Sequence, residues 1–140
     1  MKGPIRIKAP LVKNTLNFGA YLWFNDIMVD VRKLTKKSYF TVLTGEAGLD
    51  NEITSACAGD LLSHIMFKGK KGSVWVTVKT HLNVVAVAVM REFACIIIPD
   101  GIEVPDETIE AAESKGMPII GSEKTEFEIC SILYKLGIRP

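Results

Sequence analysis

The chain has 140 residues, of which 48% are hydrophobic and 24% are charged, values typical of one globular domain. Its 17 basic and 16 acidic residues leave a formal net charge of +1, which excludes the concentrated positive field needed for nonspecific nucleic-acid binding. The three cysteines lie far apart without a C-x-x-C pair, so a closed zinc site is not predicted. This cysteine usage is typical of a reduced cytoplasmic protein.

The first 27 residues stand apart from the rest of the sequence. Residues 16–29 are apolar and aromatic, but Asn17, Asn25 and Asp26 interrupt them, so this segment is too short and too polar to span a bilayer. No small-residue cleavage site follows, as a signal peptide would require. Two interpretations stay open. Residues 1–27 are an arm that packs on the domain or on a partner, or they are not native and the protein begins at Met28.

A single domain is predicted over residues 28–140, in which short apolar runs alternate with helical patterns. A short helix is predicted over residues 30–37 and a strand over 39–43, followed by a glycine-rich turn. A second strand begins at residue 52 and ends at Gly59-Asp60. One or two helical turns follow it.

The valine-rich stretch from residue 74 to 90 can be one long strand or a strand followed by a helix. Alternation of Val74 and Val76 with Trp75 predicts a strand at its start. One strand across the whole stretch would exceed the usual strand length. We therefore predict a helix from about Leu82 to Glu92, which makes a parallel strand–helix–strand crossover. Because this helix is apolar on most sides, a second subunit is predicted to cover its outer face, giving a homodimer.

The rest of the chain predicts two buried strands and two helices. The strands are residues 94–99 and 117–121, and the helices are 104–116 and 125–137. Thr125 and Glu128 have the spacing of a capping box at the start of the last helix. The alternating pattern indicates an α/β protein, a layered sandwich with a mostly parallel sheet.

Ligands of such sheets lie beyond the carboxyl ends of the parallel strands, so the loops that follow the strands form one candidate ligand-binding face. The candidate residues on it are Asp60, Lys79, Thr80, His81, Asn83, Asp100, Gly101, Glu103, Ser122 and Thr125. Several have two interpretations. Asp100 and Glu103 form an acid pair or a solvated turn, and Ser122 and Thr125 bind an anion at a helix N-terminus or only cap that helix.

Catalytic motifs are missing from the sequence. There is no P-loop, no dinucleotide-binding glycine fingerprint and no nucleophile elbow, and neither a metal nor a cofactor is predicted. His81 is a hydrogen-bond donor or titrating group at a strand end, or a residue that bonds the backbone at a helix start. Thr80 is a candidate for the N-cap of that helix.

Four segments of the chain, in this order, resemble the DRTGG domain family: "VLTGEAGLDNEITSACAGD", "VWVTVKTHLNVVAVAV", "ACIIIPDGIEVPDETIEAAESKGMPII" and "TEFEICSILYKLG". The resemblance covers about residues 28–138. Lys79-Thr80-His81 stands near the D-R element of the family, and Pro99-Asp100-Gly101 stands in place of T-G-G, where only Gly101 matches. The T-H-x-N-type segment makes the chain similar to short stand-alone members encoded in anaerobes near iron hydrogenase and electron-transfer subunits.

The resemblance implies an α/β sandwich related to the N-terminal domain of HPr kinase/phosphorylase, a domain that also accompanies some pyrophosphatases and phosphate acetyltransferases. It implies a dimeric, non-catalytic regulatory or interaction module that binds a small anion, a nucleotide or a partner protein, with a link to hydrogenase or electron-transfer systems. HPr kinase activity is not implied, because the kinase P-loop is missing. The alternative is an enzyme or accessory protein for a small phosphorylated or nucleotide substrate, with His81 as acid/base.

Overall fold

A computed structural model describes residues 28–140, and the two interpretations of residues 1–27 therefore fall outside the described part. The strands of the described chain are β1 (Val29–Asp30), β2 (Thr41–Val42), β3 (Glu52–Ile53), β4 (Ser55–Ala58), β5 (Ser73–Val76), β6 (Cys95–Ile98) and β7 (Ile119–Gly121). Its helices are α1 (Val31–Leu34), α2 (Leu62–Lys68), α3 (Leu82–Met90), α4 (Asp106–Ser114) and α5 (Glu126–Lys135). None of these helices is long and apolar enough to cross a membrane.

The main sheet has the strand order β2-β7-β6-β5-β4. Strands β4 to β7 run parallel to one another, and β2 is antiparallel to β7, with Thr41 opposite Gly121. The predicted α/β fold with a mostly parallel sheet is confirmed. The strand predicted from residue 52 is interrupted at Thr54, because β3 pairs with β1 in a separate two-stranded ribbon whereas β4 joins the main sheet.

The stretch from residue 74 to 90 does divide into a strand and a helix. Strand β5 ends at Val76, and α3 begins at Leu82. The valines favour a strand by propensity, but burial of Val84, Val85 and Val87 against the sheet stabilises the helix instead. The helix ends at Met90, two residues before the predicted end, because Glu92 has a positive φ of 56°.

Helices cover both faces of the sheet. Helices α2, α3 and α4 pack on one face, where Trp75 lies with its ring centroid 5.8 Å from that of Phe93. Helices α1 and α5 pack on the other face, where Ile129 and Leu133 of α5 contact the side of the sheet that carries Val74. Each parallel crossover steps to the next strand in the same direction, so the three crossover helices lie on one side.

Helix α5 begins with the predicted capping box. The hydroxyl of Thr125 accepts a hydrogen bond from the Glu128 backbone N–H at 3.1 Å, and the Glu128 carboxylate accepts one from the Thr125 backbone N–H at 2.9 Å. Two backbone donors at the start of the helix are thereby satisfied.

Candidate functional site

The loops after β4, β5, β6 and β7 meet at one edge of the sheet, because these four strands run parallel. We call this edge the carboxyl edge. All ten predicted residues lie in these loops or in the first turn of the helix that follows. Their shared location agrees with the sequence analysis, while a ligand role for each of them stays a prediction.

Asp60 joins two of these loops. Its carboxylate oxygen Oδ1 accepts hydrogen bonds from the Thr77 hydroxyl at 2.7 Å and from the Val78 backbone N–H at 3.0 Å. The Thr77 hydroxyl in turn accepts a hydrogen bond from the Lys79 N–H at 3.2 Å, and Thr77 is fully buried. Asp60 therefore holds the loop after β5 in place.

The centre of the carboxyl edge is acidic. Burial raises the pKa of the Glu126 carboxyl above its ordinary value, and the negative charges of Asp60 and Asp100 raise it further. The pKa of Glu126 is raised even though the residue lies in the first turn of α5, where the helix dipole favours a negative charge. A small anion is consequently disfavoured at this centre.

Replacement of Glu126 with glutamine is expected to stabilise the protein at neutral pH. Because folding raises the pKa of Glu126, its charged form lowers stability once the pH exceeds the ordinary carboxyl range. We expect a higher melting temperature at about pH 7, a gain that shrinks as the pH falls through the raised pKa and vanishes below the ordinary one. Thermal melts across this pH range test it.

The matched control for this prediction is Glu110→Gln on the exposed side of α4. It is expected to leave the melting temperature nearly unchanged. A Glu126→Gln gain that is independent of pH, or a loss at neutral pH, would contradict the electrostatic explanation.

His81 is the N-cap of α3 and is exposed. Its Nδ1 accepts a hydrogen bond from the Asn83 backbone N–H at 3.3 Å. The prediction that Thr80 is the N-cap is wrong: its carbonyl oxygen accepts a hydrogen bond from the Thr108 hydroxyl at 2.8 Å, which ties the loop to α4. Of the two interpretations of His81, the geometry therefore shows the bond to the backbone.

Asp100 and Gly101 form a tight turn after β6. Both have positive φ angles, 59° and 64°, and the Ile102 N–H donates to the Pro99 carbonyl at 3.2 Å. These values are typical of a type I′ turn, in which aspartate followed by glycine is strongly preferred. Asp100 therefore has a structural reason for its position in the turn.

Backbone hydrogen bonds connect this turn to the loop after β7. The Gly101 N–H donates to the Ser122 carbonyl at 2.9 Å, and the Asp100 N–H donates to the Lys124 carbonyl at 2.9 Å. The Ser122 hydroxyl accepts a hydrogen bond from the Lys124 N–H at 3.1 Å. Together with the Thr125 capping box, these bonds show that both hydroxyls already satisfy backbone donors.

A pocket of about 540 Å³ lies where this pair of loops meets β2. We call it the β2 pocket; its lining includes Tyr39, Leu43, Gly101, Glu103, Ser122 and Glu123. Three of the ten predicted residues contribute to it, and the others lie elsewhere along the carboxyl edge. The Lys124 ammonium lies 5.2 Å from the centroid of the Tyr39 ring, within the range of a cation–π contact.

Sequence reasoning did not find Tyr39 and Lys124 as candidate residues. Tyr39 precedes an edge strand that runs antiparallel to β7, and no local pattern shows which strand β2 will join. The one sequence signal that could have pointed to Tyr39 is an aromatic residue beside a polar strand end. This pattern is too common in proteins to identify a binding site.

A second pocket of about 540 Å³ lies at the opposite, amino edge of the sheet. We call it the amino-edge pocket; Asn51, Thr54, Lys71, Glu92 and Lys115 are among its lining residues. Lys71 and Glu92 form an exposed ion pair at 3.1 Å. Ligands of parallel sheets usually bind at the carboxyl ends of the strands, so the sequence predicts no site at this amino edge.

No group of three or more histidine, cysteine, aspartate or glutamate side chains within residues 28–140 is arranged to hold a metal ion. Burial raises the pKa of the Cys57 thiol to about 11 and also raises the pKa of the Cys95 and Cys130 thiols. All three thiols are therefore protonated at neutral pH, which makes them poor nucleophiles.

Comparisons with known proteins identify the fold. The sequence matches no protein-family model and no curated protein. The structure is similar to that of the CBS and DRTGG domains of the regulatory region of Clostridium perfringens pyrophosphatase, complexed with the activator diadenosine tetraphosphate. The two are 10% identical with a TM-score of 0.59, and the match covers 84% of this chain but only 56% of that one. This similarity supports the DRTGG-like fold expected from the sequence, without showing the hydrogenase-associated type.

Proposed function

We propose that the chain is a regulatory module that binds a nucleotide in the β2 pocket and carries out no reaction of its own. The pocket is the observation that carries this proposal. It opens on the carboxyl edge and combines an aromatic ring, two carboxylates and a nearby lysine. Pockets of this volume suit small organic ligands held by a few polar groups.

The charges of the pocket favour a nucleotide over a bare anion. Glu103 and Glu123 would repel phosphate alone, but their carboxylates can accept hydrogen bonds from ribose hydroxyls or a base amino group. The Tyr39 ring offers a surface for stacking a base. Lys124, which lies over that ring, is placed to attract the phosphates. The diadenosine tetraphosphate bound to the similar pyrophosphatase region supports testing adenine nucleotides first.

Isothermal titration calorimetry with the full chain tests this function. The ligands are AMP, ATP, diadenosine tetraphosphate and inorganic phosphate, and we expect binding of at least one nucleotide but not of phosphate. Tyr39→Ala should weaken nucleotide binding roughly 10- to 100-fold through lost stacking. Because Tyr39 also packs against the core, Lys124→Ala provides a second variant and should weaken ATP binding more than AMP binding.

The matched control is Lys115→Ala, which removes a lysine of the amino-edge pocket instead. It should leave the affinity unchanged. The proposal fails if no nucleotide binds, or if Lys115→Ala weakens binding while Lys124→Ala does not, which would assign the ligand to the amino edge.

The enzyme alternative with His81 as acid/base has less support, because Nδ1 of His81 already accepts the Asn83 N–H. Incubation of the chain with ATP and diadenosine tetraphosphate, followed by chromatography of the products, separates the two functions. Turnover that His81→Ala abolishes while nucleotide binding persists would favour the enzyme.

We also propose a homodimer through the groove between α3 and α4. The groove has a volume of about 490 Å³, is lined mainly by apolar side chains including Leu82, Val89 and Met90, and leaves Met90 67% exposed. Exposed apolar surface of this kind marks interaction sites.

Light scattering after size-exclusion chromatography should show a dimer that Met90→Glu dissociates. The control Phe127→Glu, at an exposed residue of α5, should not; a wild-type monomer would refute the dimer.

The expected link to hydrogenase or electron-transfer subunits rests on the family resemblance, and the expected cytoplasmic location rests on the cysteine usage. We retain both as proposals. The chain with an affinity tag, expressed in its native host, should be recovered from the soluble fraction together with such subunits. Mass spectrometry of the eluate tests this, and a preparation without hydrogenase or electron-transfer subunits would remove the link.

A further inference from the structure

The amino-edge pocket is a cleft with two walls. The first wall is the chain from Gly48 to Thr54, which crosses the amino ends of the parallel strands. A Cβ atom on Gly48 would lie 2.8 Å from a side-chain atom of the segment before β7. The Asn51 side-chain amide donates to a backbone carbonyl just before β6 at 3.2 Å, and the Thr54 N–H donates to the Gly72 carbonyl, just before β5, at 2.9 Å. This wall therefore contacts three strand starts in turn.

The ends of α3 and α4 form the second wall. In a parallel crossover the helix returns to the amino end of the next strand, so the last turns of both helices lie at this edge. The Phe93 N–H donates to the Ala88 carbonyl and the Met117 N–H donates to the Ala112 carbonyl, both at 2.9 Å. Phe93 and Met117 are buried and line the pocket. They give the cleft an apolar floor.

Close packing at Gly72 joins the two walls. Gly72 has a φ of 82°, and a Cβ atom there would overlap the Thr54 hydroxyl oxygen. That hydroxyl donates to the Lys71 carbonyl at 2.9 Å, and the Gly72 N–H donates to the Glu92 carbonyl at 2.9 Å. The cleft is thereby preformed, so a ligand that enters it need not order the protein around it.

Four charged side chains line the cleft, and two of them form a pair. The Lys71 ammonium lies 3.1 Å from the Glu92 carboxylate, so these two charges neutralise each other. Glu52 and Lys115 also line the cleft, and neither forms an ion pair with another residue in the range 28–140. One carboxylate and one ammonium group are therefore left for a ligand.

These two charges lie on opposite walls. Glu52 belongs to the crossing chain, whereas Lys115 directly follows the last residue of α4. A plain anion in the cleft would be repelled by Glu52, and a plain cation would be repelled by Lys115. A small zwitterion can satisfy both, because it carries one charge of each sign.

We propose that the amino-edge pocket binds a free amino acid with an apolar side chain. Glu52 would accept hydrogen bonds from its ammonium group, and Lys115 would donate to its carboxylate. The side chain of the ligand would rest on the floor formed by Phe93 and Met117. The inference does not rest on nucleotide binding, because it concerns the opposite edge of the sheet from the β2 pocket.

Isothermal titration calorimetry with the full chain tests the class of ligand. The probes are L-leucine, L-isoleucine, L-methionine and L-phenylalanine, and at least one should bind. For the amino acid that binds, the amine without its carboxylate and the acid without its ammonium group should each bind roughly tenfold more weakly. The proposal is overturned if none of the four binds. It is also overturned if the acid alone binds as tightly, since the cleft would then be a simple anion site.

Substitutions of the two unpaired charges test the residues. Glu52→Gln and Lys115→Met should each weaken amino-acid binding by about fivefold or more. The matched controls are Glu107→Gln and Lys36→Ala, at exposed residues outside the cleft, and they should leave the affinity unchanged. Unchanged affinity in both cleft variants, or an equal loss in the controls, would contradict the assignment.

Nuclear magnetic resonance locates the bound amino acid directly. In a ¹⁵N-labelled chain, the amide signals of Gly72 and Phe93 should shift on addition of the amino acid that binds. The amide signals of Gly101 and Ser122, which line the β2 pocket, should not shift. Shifts confined to Gly101 and Ser122 would place the amino acid in the β2 pocket and refute the amino-edge site.

Discussion

Replacement of Trp75 with alanine is expected to destabilise the folded chain by about 3–5 kcal/mol, the usual effect of removing a large buried aromatic side chain. Trp75 is fully buried in β5, contacts Phe93 edge to face and donates its indole N–H to the Gly59 carbonyl at 2.9 Å. The substitution would leave a cavity between the sheet and its helices. It would also remove the hydrogen bond that fixes the backbone next to Asp60.

Urea denaturation followed by circular dichroism measures this effect. The control is Phe127→Ala, which removes an aromatic side chain that is 84% exposed and should change stability by no more than about 0.5 kcal/mol. If Trp75→Ala lowers the free energy of unfolding by less than about 1 kcal/mol, the packing described around β5 is incorrect.

Replacement of Gly48 with alanine is expected to destabilise the chain by about 3 kcal/mol. Left-handed backbone strain contributes about 1–2 kcal/mol of this, and a steric clash of the added Cβ atom contributes the rest. Gly48 has a φ of 87°, and a Cβ atom there would lie 2.8 Å from the Pro118 Cδ and would overlap the Gly116 carbonyl oxygen. The loop before β3 would have to move away from the segment that leads into β7. Thermal and urea unfolding provide the measurement.

Gly45 in the same loop is the matched control. Its φ is not in the left-handed region, and a Cβ there would have its nearest neighbour at 3.7 Å, the Glu113 carboxylate. Gly45→Ala should therefore be nearly neutral. Equal effects of the two substitutions would show that loop entropy, rather than close approach at Gly48, determines the response.

Much of the fold was predictable because local patterns and tertiary packing agree. The α5 capping box is specified by Thr125 and Glu128 alone, and the division between β5 and α3 follows from limits on strand length. The break at Thr54 was not predictable, because it depends on the pairing of Ile53 with β1 and of Ser55 with β5. Nothing in the residues from 52 to 58 marks that change of partner.

The candidate site was predictable in location but not in composition. The parallel order of β4 to β7 places the predicted loops on one edge, as expected. The acidity around Glu126 depends on its approach to Asp60 and Asp100, which lie in separate loops. Likewise, the β2 pocket depends on β2 pairing with β7, a long-range contact without a sequence signature.

The strand order has a consequence for the order of folding. Strands β4, β5 and β6 each pair with the next strand along the chain, whereas β2 must pair with β7 across most of the domain. Contacts between neighbours in sequence form early, and long loop closures form late. We therefore expect β2 to dock last and to detach first, which native-state hydrogen exchange at Leu43, whose N–H donates to the Ile119 carbonyl, can test. A ligand in the β2 pocket would then hold the least stable strand against the rest of the sheet. Binding would make this edge of the sheet more rigid, a change that a neighbouring protein can detect.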